Sequence, residues 1–335
     1  MTVFLGINGF GRIGRDIARC ALARADDSVE VVAVNDIADA RTLAYLLEYD
    51  STHGRLGRPV RVRGQSIVVG DHRIHVSRIP HPADLDWRPF GADVVIEATG
   101  RFRGRKEAAA HLDAGASKVI VSAPGIDVDA TIVMGVNDDG YDPARHDVIS
   151  GASGTTNCVA PMLLVLHRAF GVRRGLLTSI HGYTNDQSLL DQPHADLRRA
   201  RSAAVNILPT TTGAAKSIGE VLPQLDGVLG AAAVRVPVEV GSLADLTVEV
   251  ESPVTVGQVN RAFSDAASGH LRRILRYTEA PIVSRDVVGE SASCVFDASL
   301  TTTNDNLVKV FGWYDNEWGY SNRMLELADL IDPVG

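Results

Sequence analysis

The sequence predicts an α/β protein: a doubly wound parallel sheet in the first half, then a second domain of α+β type. Three observations carry that prediction. Short apolar runs alternate with amphipathic stretches as far as residue 121, the rhythm of strand, crossover helix and parallel strand. A glycine-rich string sits directly between the first apolar run and the first helical stretch. The second half changes character, with longer β runs and fewer helices between them.

The chain has 335 residues, enough for two domains of ordinary size. Hydrophobic content of 45% and charged content of 22% match a soluble globular enzyme. A net charge of −8 leaves no basic footprint for nucleic acid. No run reaches ~18 uncharged apolar residues, so no membrane span is expected. The start, M-T-V-F-L-G-I-N-G-F-G, reads as a strand rather than a signal peptide, having no basic region before a long apolar stretch. Cys20, Cys158 and Cys294 are odd in number and far apart. They suit neither a disulfide framework nor a metal cluster, and they point to a reducing, cytoplasmic setting.

Taken in order, Val3–Ile7 reads as a buried strand and Gly14–Ala23 as a helix with Ile17, Ala18, Ala21 and Leu22 on one face. Val29–Val34 is the second strand and Ala40–Tyr49 the second helix. Arg58–Ile79 has the β-branched, turn-rich look of a hairpin insertion. Val94–Glu97 and Val119–Val121 are further strands. In the second half Cys158–Phe170, Val259–Ala267 and Ser321–Ile331 read as helices, and Gly175–His181, Ala231–Val236, Leu246–Glu251 and Val308–Tyr314 as strands. The domain boundary falls near Ile149–Ser153. The expected division is 1–152 and 153–320, with the last helix, 321–335, returning to the first domain.

Gly9-Phe10-Gly11-Arg12-Ile13-Gly14 is G-x-G-x-x-G between a strand and a helix, the context in which that string has a mechanism. Gly9 makes a tight turn, Gly11 lets a pyrophosphate approach the backbone, and Gly14 lets helix pack on strand. The helix N-terminus, through Arg12 and Ile13, offers oriented N–H donors. The second strand ends at Asn35-Asp36. A carboxylate there accepts from the adenosine ribose hydroxyls and repels a 2′-phosphate, so the cofactor expected is NAD. Ala98-Thr99-Gly100-Arg101-Phe102 and Ser122-Ala123-Pro124-Gly125 fall at the ends of later strands, where loops border the crevice of a Rossmann-type sheet.

The motifs G-I-N-G-F-G-R-I-G-R at 6, E-A-T-G-R-F at 97, S-A-P-G at 122, H-G-Y-T-N-D-Q at 181, D-L-R-R-A-R at 196, P-T-T-T-G-A-A-K at 209 and W-Y-D-N-E-W-G-Y-S-N-R at 313 resemble one family along the whole chain. It is that of the glyceraldehyde-3-phosphate and erythrose-4-phosphate dehydrogenases. The resemblance implies that His181 is the general base. It implies that Thr184, Asp186, Arg199 and Arg235 hold the substrate's phosphate, and that Ser153, Thr155, Thr212 and Gly213 hold attacking inorganic phosphate. Asn316 would fix the nicotinamide carboxamide, with Tyr320 beside it. A homotetramer is implied too, its Thr184–Ile207 loop reaching toward a neighbouring subunit's cofactor. Residue chemistry agrees for the arginines, whose planar fork of donors suits an anion, although either alone could equally form a surface ion pair.

Ser150–Cys158 reads S-G-A-S-G-T-T-N-C, resembling the family's S-x-A-S-C-T-T-N-C loop with glycine at the position of the nucleophilic cysteine. Glycine cannot form the hemithioacetal and thioester of the family mechanism. Gly151, Gln192 and Val238-Glu239-Val240-Gly241 also depart from the family's usual residues. Gly154 is therefore either a natural divergence or an engineered cysteine-to-glycine trap. The chain is accordingly expected to be an NAD-dependent oxidoreductase acting on a phosphorylated or anionic small molecule without a thioester. The alternatives are a non-catalytic NAD-binding protein and an enzyme converting a nicotinamide nucleotide itself.

Overall fold

The computed structural model describes residues 2–26 and 28–332. Backbone contacts divide the chain into two compact units. The first comprises residues 1–132, 138–152 and 321–335, and the second residues 133–137 and 153–320.

The first unit is built on a nine-stranded sheet. Ala130–Thr131, Val148–Ser150, Lys118–Val121, Val94–Glu97, Val3–Asn8, Val29–Asn35 and His72–Ser77 lie side by side in that order, all parallel. Val94–Glu97 and Lys118–Val121 are buried at every residue, as central strands covered on both faces must be. The segment expected as a hairpin insertion is a continuation of this sheet. Ser66–Val69 and Val60–Arg63 extend it antiparallel, and His72–Ser77 joins it to Val29–Asn35. The hairpin itself is as expected; its parallel junction with Val29–Asn35, a partner far off in sequence, leaves no local signal.

Strand order reverses beside Val3–Asn8: the next strand in sequence pairs on one edge and Val94–Glu97 on the other. Loops diverge there, and a crevice opens at the carboxyl ends of the strands. The helix Arg12–Ala23 leaves from this point, burying Ile17, Ala18, Cys20 and Leu22. Later in the same unit Arg24 pairs with Asp329 at 2.7 Å, tying down the end of the helix Trp318–Leu330.

The second unit holds an eight-stranded, mainly antiparallel sheet. Its centre is Val172–Gly182 flanked by Leu229–Val236, parallel, and Ser242–Val250, antiparallel. Leu307–Tyr314 follows on the far side of Ser242–Val250. The helix Gly154–Phe170 packs on this sheet and is buried from Thr155 through Leu166. It begins four residues before the Cys158 start expected from the apolar pattern. Ser153 supplies the reason: its Oγ accepts from Thr156 N at 3.1 Å, an N-cap worth ~1 kcal/mol that recruits the polar Gly-Thr-Thr turn into the helix. No helix among the described residues is long and apolar enough to cross a membrane.

Candidate functional site

In the first unit a cavity of about 230 Å³ opens at the switch point, with Gly9, Gly11, Asn35, Asp36 and Thr99 in its wall. Gly9 has φ +92°, and a Cβ on Gly14 would lie 2.2 Å from Gly9 O, so the helix could not start this close to the strand with any other residue there. A Cβ on Gly11 would meet nothing within 4 Å, which leaves this stretch of backbone open toward the crevice. The helix starting at Arg12 has no side-chain cap and no acid in its first turn. Its first bond runs from Arg15 N to Gly11 O, and the amides of Ile13 and Gly14 precede it. An anion is the natural complement of such an end. The Arg12 side chain itself turns to Asp50.

Asp36 uses one oxygen to accept from Phe10 N at 2.8 Å and the other from Ala38 N at 2.9 Å. A carboxylate has about four acceptor positions, so each oxygen keeps capacity for a ribose hydroxyl. Open backbone, an uncapped helix and a wall carboxylate are the donor and acceptor set a dinucleotide needs. Asn35, in the same wall, is also a structural hub: it donates to Asn8 Oδ1 and Ile79 O and accepts from Ser77 Oγ and Ile79 N. Ser122 Oγ donates to Glu97 O at 3.1 Å, and Gly100 turns the chain at φ +68°.

Sequence reasoning missed what holds this wall. Glu97 is buried and accepts from Asn8 Nδ2, from both N–H and O–H of Thr99, and from His111 Nε2 at 3.0 Å. Trp87 Nε1 donates to His111 Nδ1 at 3.1 Å. An indole nitrogen only donates, so His111 is fixed as the Nε2–H tautomer. The one available signal was a glutamate inside an otherwise apolar strand.

In the second unit His181 and Arg235 face each other in register across parallel strands. Arg235 Nη1 lies 2.8 Å from His181 Nδ1 and 3.0 Å from Gly182 O, while His181 Nδ1 is 2.7 Å from the same carbonyl. Burial first, and then the Arg235 charge, depress the imidazole pKa to about 4 against the opposing pull of Gly182 O. Among the described residues no carboxylate pairs with Arg235, and its buried Nε makes no hydrogen bond. Burial and the neighbouring Arg199 charge lower its own pKa. Arg199 is compensated differently: Asp186 bonds it directly, Asp196 stands 3.4 Å away, and Thr184 Oγ1 donates to Asp186.

Gly182 N donates to Ser242 Oγ, and that hydroxyl donates to Asn316 Oδ1, both at 3.2 Å. Gly241 N also donates to Asn316 Oδ1. Tyr314, absent from the sequence-based set, joins the two sides of the site. Its hydroxyl lies 2.9 Å from Thr155 Oγ1 and 3.2 Å from Ser179 Oγ, and its ring stands edge-on to His181 with centroids 6.0 Å apart. Position 154 carries no side chain, and a Cβ there would stand 3.2 Å from Asn316 O. Ser153 Oγ is engaged with Thr156. Thr212 Oγ1 accepts from Ala214 N at 3.2 Å, and Gly213 heads the helix Ala214–Val221 without a side-chain cap. Tyr320 is buried, and burial raises its pKa.

Cys158 is fully buried, its Sγ 3.7 Å from Gly312 O. Burial and the adjacent Cys294 push its thiol up, the reverse of an activated nucleophile.

Residues 3–105 match the NAD binding domain of glyceraldehyde 3-phosphate dehydrogenase, and residues 153–316 match that enzyme's C-terminal domain. The chain belongs to the glyceraldehyde-3-phosphate dehydrogenase family. It is 55% identical to glyceraldehyde-3-phosphate dehydrogenase of Geobacillus stearothermophilus over 336 aligned positions, 100% of both chains. It is 54% identical to glyceraldehyde-3-phosphate dehydrogenase 1 of Streptomyces avermitilis and to the Mycobacterium avium enzyme, over 99% of each chain. Membership makes it an NAD-dependent dehydrogenase with a Rossmann-type first domain.

Proposed function

We propose that this dehydrogenase oxidises a phosphorylated or otherwise anionic small molecule by direct hydride transfer, without a thioester. Gly154 then stands where the family has its cysteine, and Cys158 takes no part in the chemistry. The observation that carries this reading is a half-buried histidine of depressed pKa beside an uncompensated arginine, at a site whose helix starts on a residue with no side chain. Residues 1–152 with 321–335 would form the NAD-binding domain, and 153–320 the catalytic domain.

Gly11, Ile13, Gly14 and Asp36 would hold the dinucleotide, and bound NAD supplies the hydride acceptor. Arg235 binds the substrate's anion, with Arg199, Thr184 and Asp186 around it. His181 takes the hydroxyl proton of an alcohol or an aldehyde hydrate as the adjacent C–H bond is oxidised. The space left by the absent side chain at 154 admits a second oxygen on the reacting carbon. Ser153, Thr155, Thr212 and Gly213 line the side where the family's attacking phosphate would sit, and Asn316 and Tyr320 the nicotinamide side.

The exposed Leu189, Leu190, Leu197, Val205 and Ile207 support burial of that loop in a homotetramer, and three buried free thiols support a reducing cytoplasm. The test is NADH formation from phosphorylated aldehydes and alcohols, with and without inorganic phosphate, before and after thiol alkylation. Turnover indifferent to phosphate and to alkylation is expected. Turnover that requires phosphate, with an acyl adduct on Cys158, would overturn the reading.

A further inference from the structure

His181 and Arg235 share one nitrogen in a way that cannot be satisfied by a single protonation pattern. A guanidinium nitrogen only donates. If Arg235 Nη1 donates to His181 Nδ1 across 2.8 Å, that nitrogen carries a lone pair and the ring's proton sits on Nε2. If His181 Nδ1 donates to Gly182 O across 2.7 Å, Nδ1 carries the proton, Nε2 is bare, and the Arg235 contact is no longer a hydrogen bond. Full protonation of the ring is disfavoured by burial and the arginine charge. Only the second tautomer can take a proton at Nε2.

We propose that Arg235 is an anion-released latch on the tautomer of His181. Without an anion, Arg235 holds Nδ1 as an acceptor, and the imidazole presents Nε2–H, a donor. An anion that engages the guanidinium withdraws Nη1 from Nδ1. The Nε2 proton then passes to solvent, Nδ1 takes a proton from water, and Nδ1–H donates to Gly182 O. Net charge on the ring is unchanged, and Nε2 becomes the base.

Three features of the site favour this exchange. Arg235 has no carboxylate partner among the described residues and an unsatisfied buried Nε, so its donors gain most from an anion. Arg199 is already paired with Asp186 and Asp196, which leaves Arg235 as the group that responds. The carbonyl that accepts from the relocated Nδ1–H is already in place: Gly182 O shares its peptide plane with Tyr183 N, which donates to Val238 O at 2.9 Å. Arg235 is thus a positioning residue for the base as well as an anion ligand, and the device ties proton abstraction to substrates that bring an anion. The inference rests on the proposed roles of His181 and Arg235 above.

The test uses the full-length protein with nitrogen-15-labelled histidine. Two-bond nitrogen–proton correlation NMR reports the His181 tautomer at pH 7 while inorganic phosphate is added, and calorimetry follows phosphate binding in parallel. A switch from Nε2–H to Nδ1–H with the same midpoint as binding is the expected result. In Arg235→Gln the ring should rest as Nδ1–H from the start and show no phosphate-dependent change of tautomer. Phosphate binding with an unchanged tautomer overturns the latch alone. Absence of phosphate binding overturns both the latch and the anion-site reading.

Discussion

Gly14 and Gly154 both lie in the first turn of a helix that follows a strand and its loop, and they are there for opposite reasons. A side chain at Gly14 would put its Cβ 2.2 Å from the Gly9 carbonyl oxygen, a rigid backbone atom. Packing dictates that glycine. A side chain at Gly154 would come 3.2 Å from Asn316 O, with no positive φ to oppose it, and a shift of a few tenths of an ångström would admit it. The obstacle there is also a backbone oxygen, but the overlap is a full ångström smaller than at Gly14. The first glycine is a condition of the nucleotide crevice existing at all, whereas the second matters through the chemistry proposed for it.

The sharpest way to break the comparison is at Gly14. Gly14→Ala should lower thermal stability by ~1–3 kcal/mol, the range for overpacking, and abolish measurable NAD binding by calorimetry. A folded Gly14→Ala protein with wild-type affinity would show that the crevice tolerates what the geometry forbids. Arg235→Leu comes next: loss of a charge-assisted anion contact should cut kcat/KM by roughly 100-fold for a phosphorylated substrate. Steady-state kinetics with and without the phosphate group on the substrate would show whether the loss tracks the anion.

Gly154→Cys should cost less than about 1 kcal/mol in a thermal melt and create an alkylation-sensitive thiol at the helix N-terminus. Phosphate-dependent NADH formation in that variant would mean the rest of the thioester machinery is intact. A folded, alkylatable but inert variant would place the divergence deeper, in the surroundings of His181.

The pH profile offers a smaller effect. His181 stays neutral until pH approaches about 4, so the acid limb of kcat/KM should lie well below that of an ordinary histidine near 6.5. Linkage runs the same way for stability. The unfolded ring binds a proton below 6.5 and the folded ring does not, so His181 makes folding less favourable as pH falls from 6.5 to about 4. Smallest of all, Cys158→Ala should leave turnover within about twofold, since the buried thiol only packs.

Local patterns made the nucleotide end readable. Gly9, Gly11, Asn35, Asp36 and Thr99 were placed at strand ends by the sequence, and the structure gathers them around one cavity. The hidden parts are the non-local ones. Glu97, His111 and Trp87 meet only because a strand, a short helix and a loop converge. Tyr314 reaches Thr155 across 159 residues of chain. The opposition of His181 and Arg235 depends on parallel register between strands more than 50 residues apart, and no spacing rule reveals it. Helix starts were misjudged where a cap did the work of apolar periodicity, as at Ser153.

The buried indole behind the nucleotide wall has one more use. Trp87 has no solvent exposure, whereas Trp313 and Trp318 are partly exposed and belong to the other unit. Blue-edge fluorescence should follow melting of the nucleotide-binding unit alone, and red-edge emission the other unit. The protein thus carries an intrinsic two-colour optical record of whether its halves come apart together.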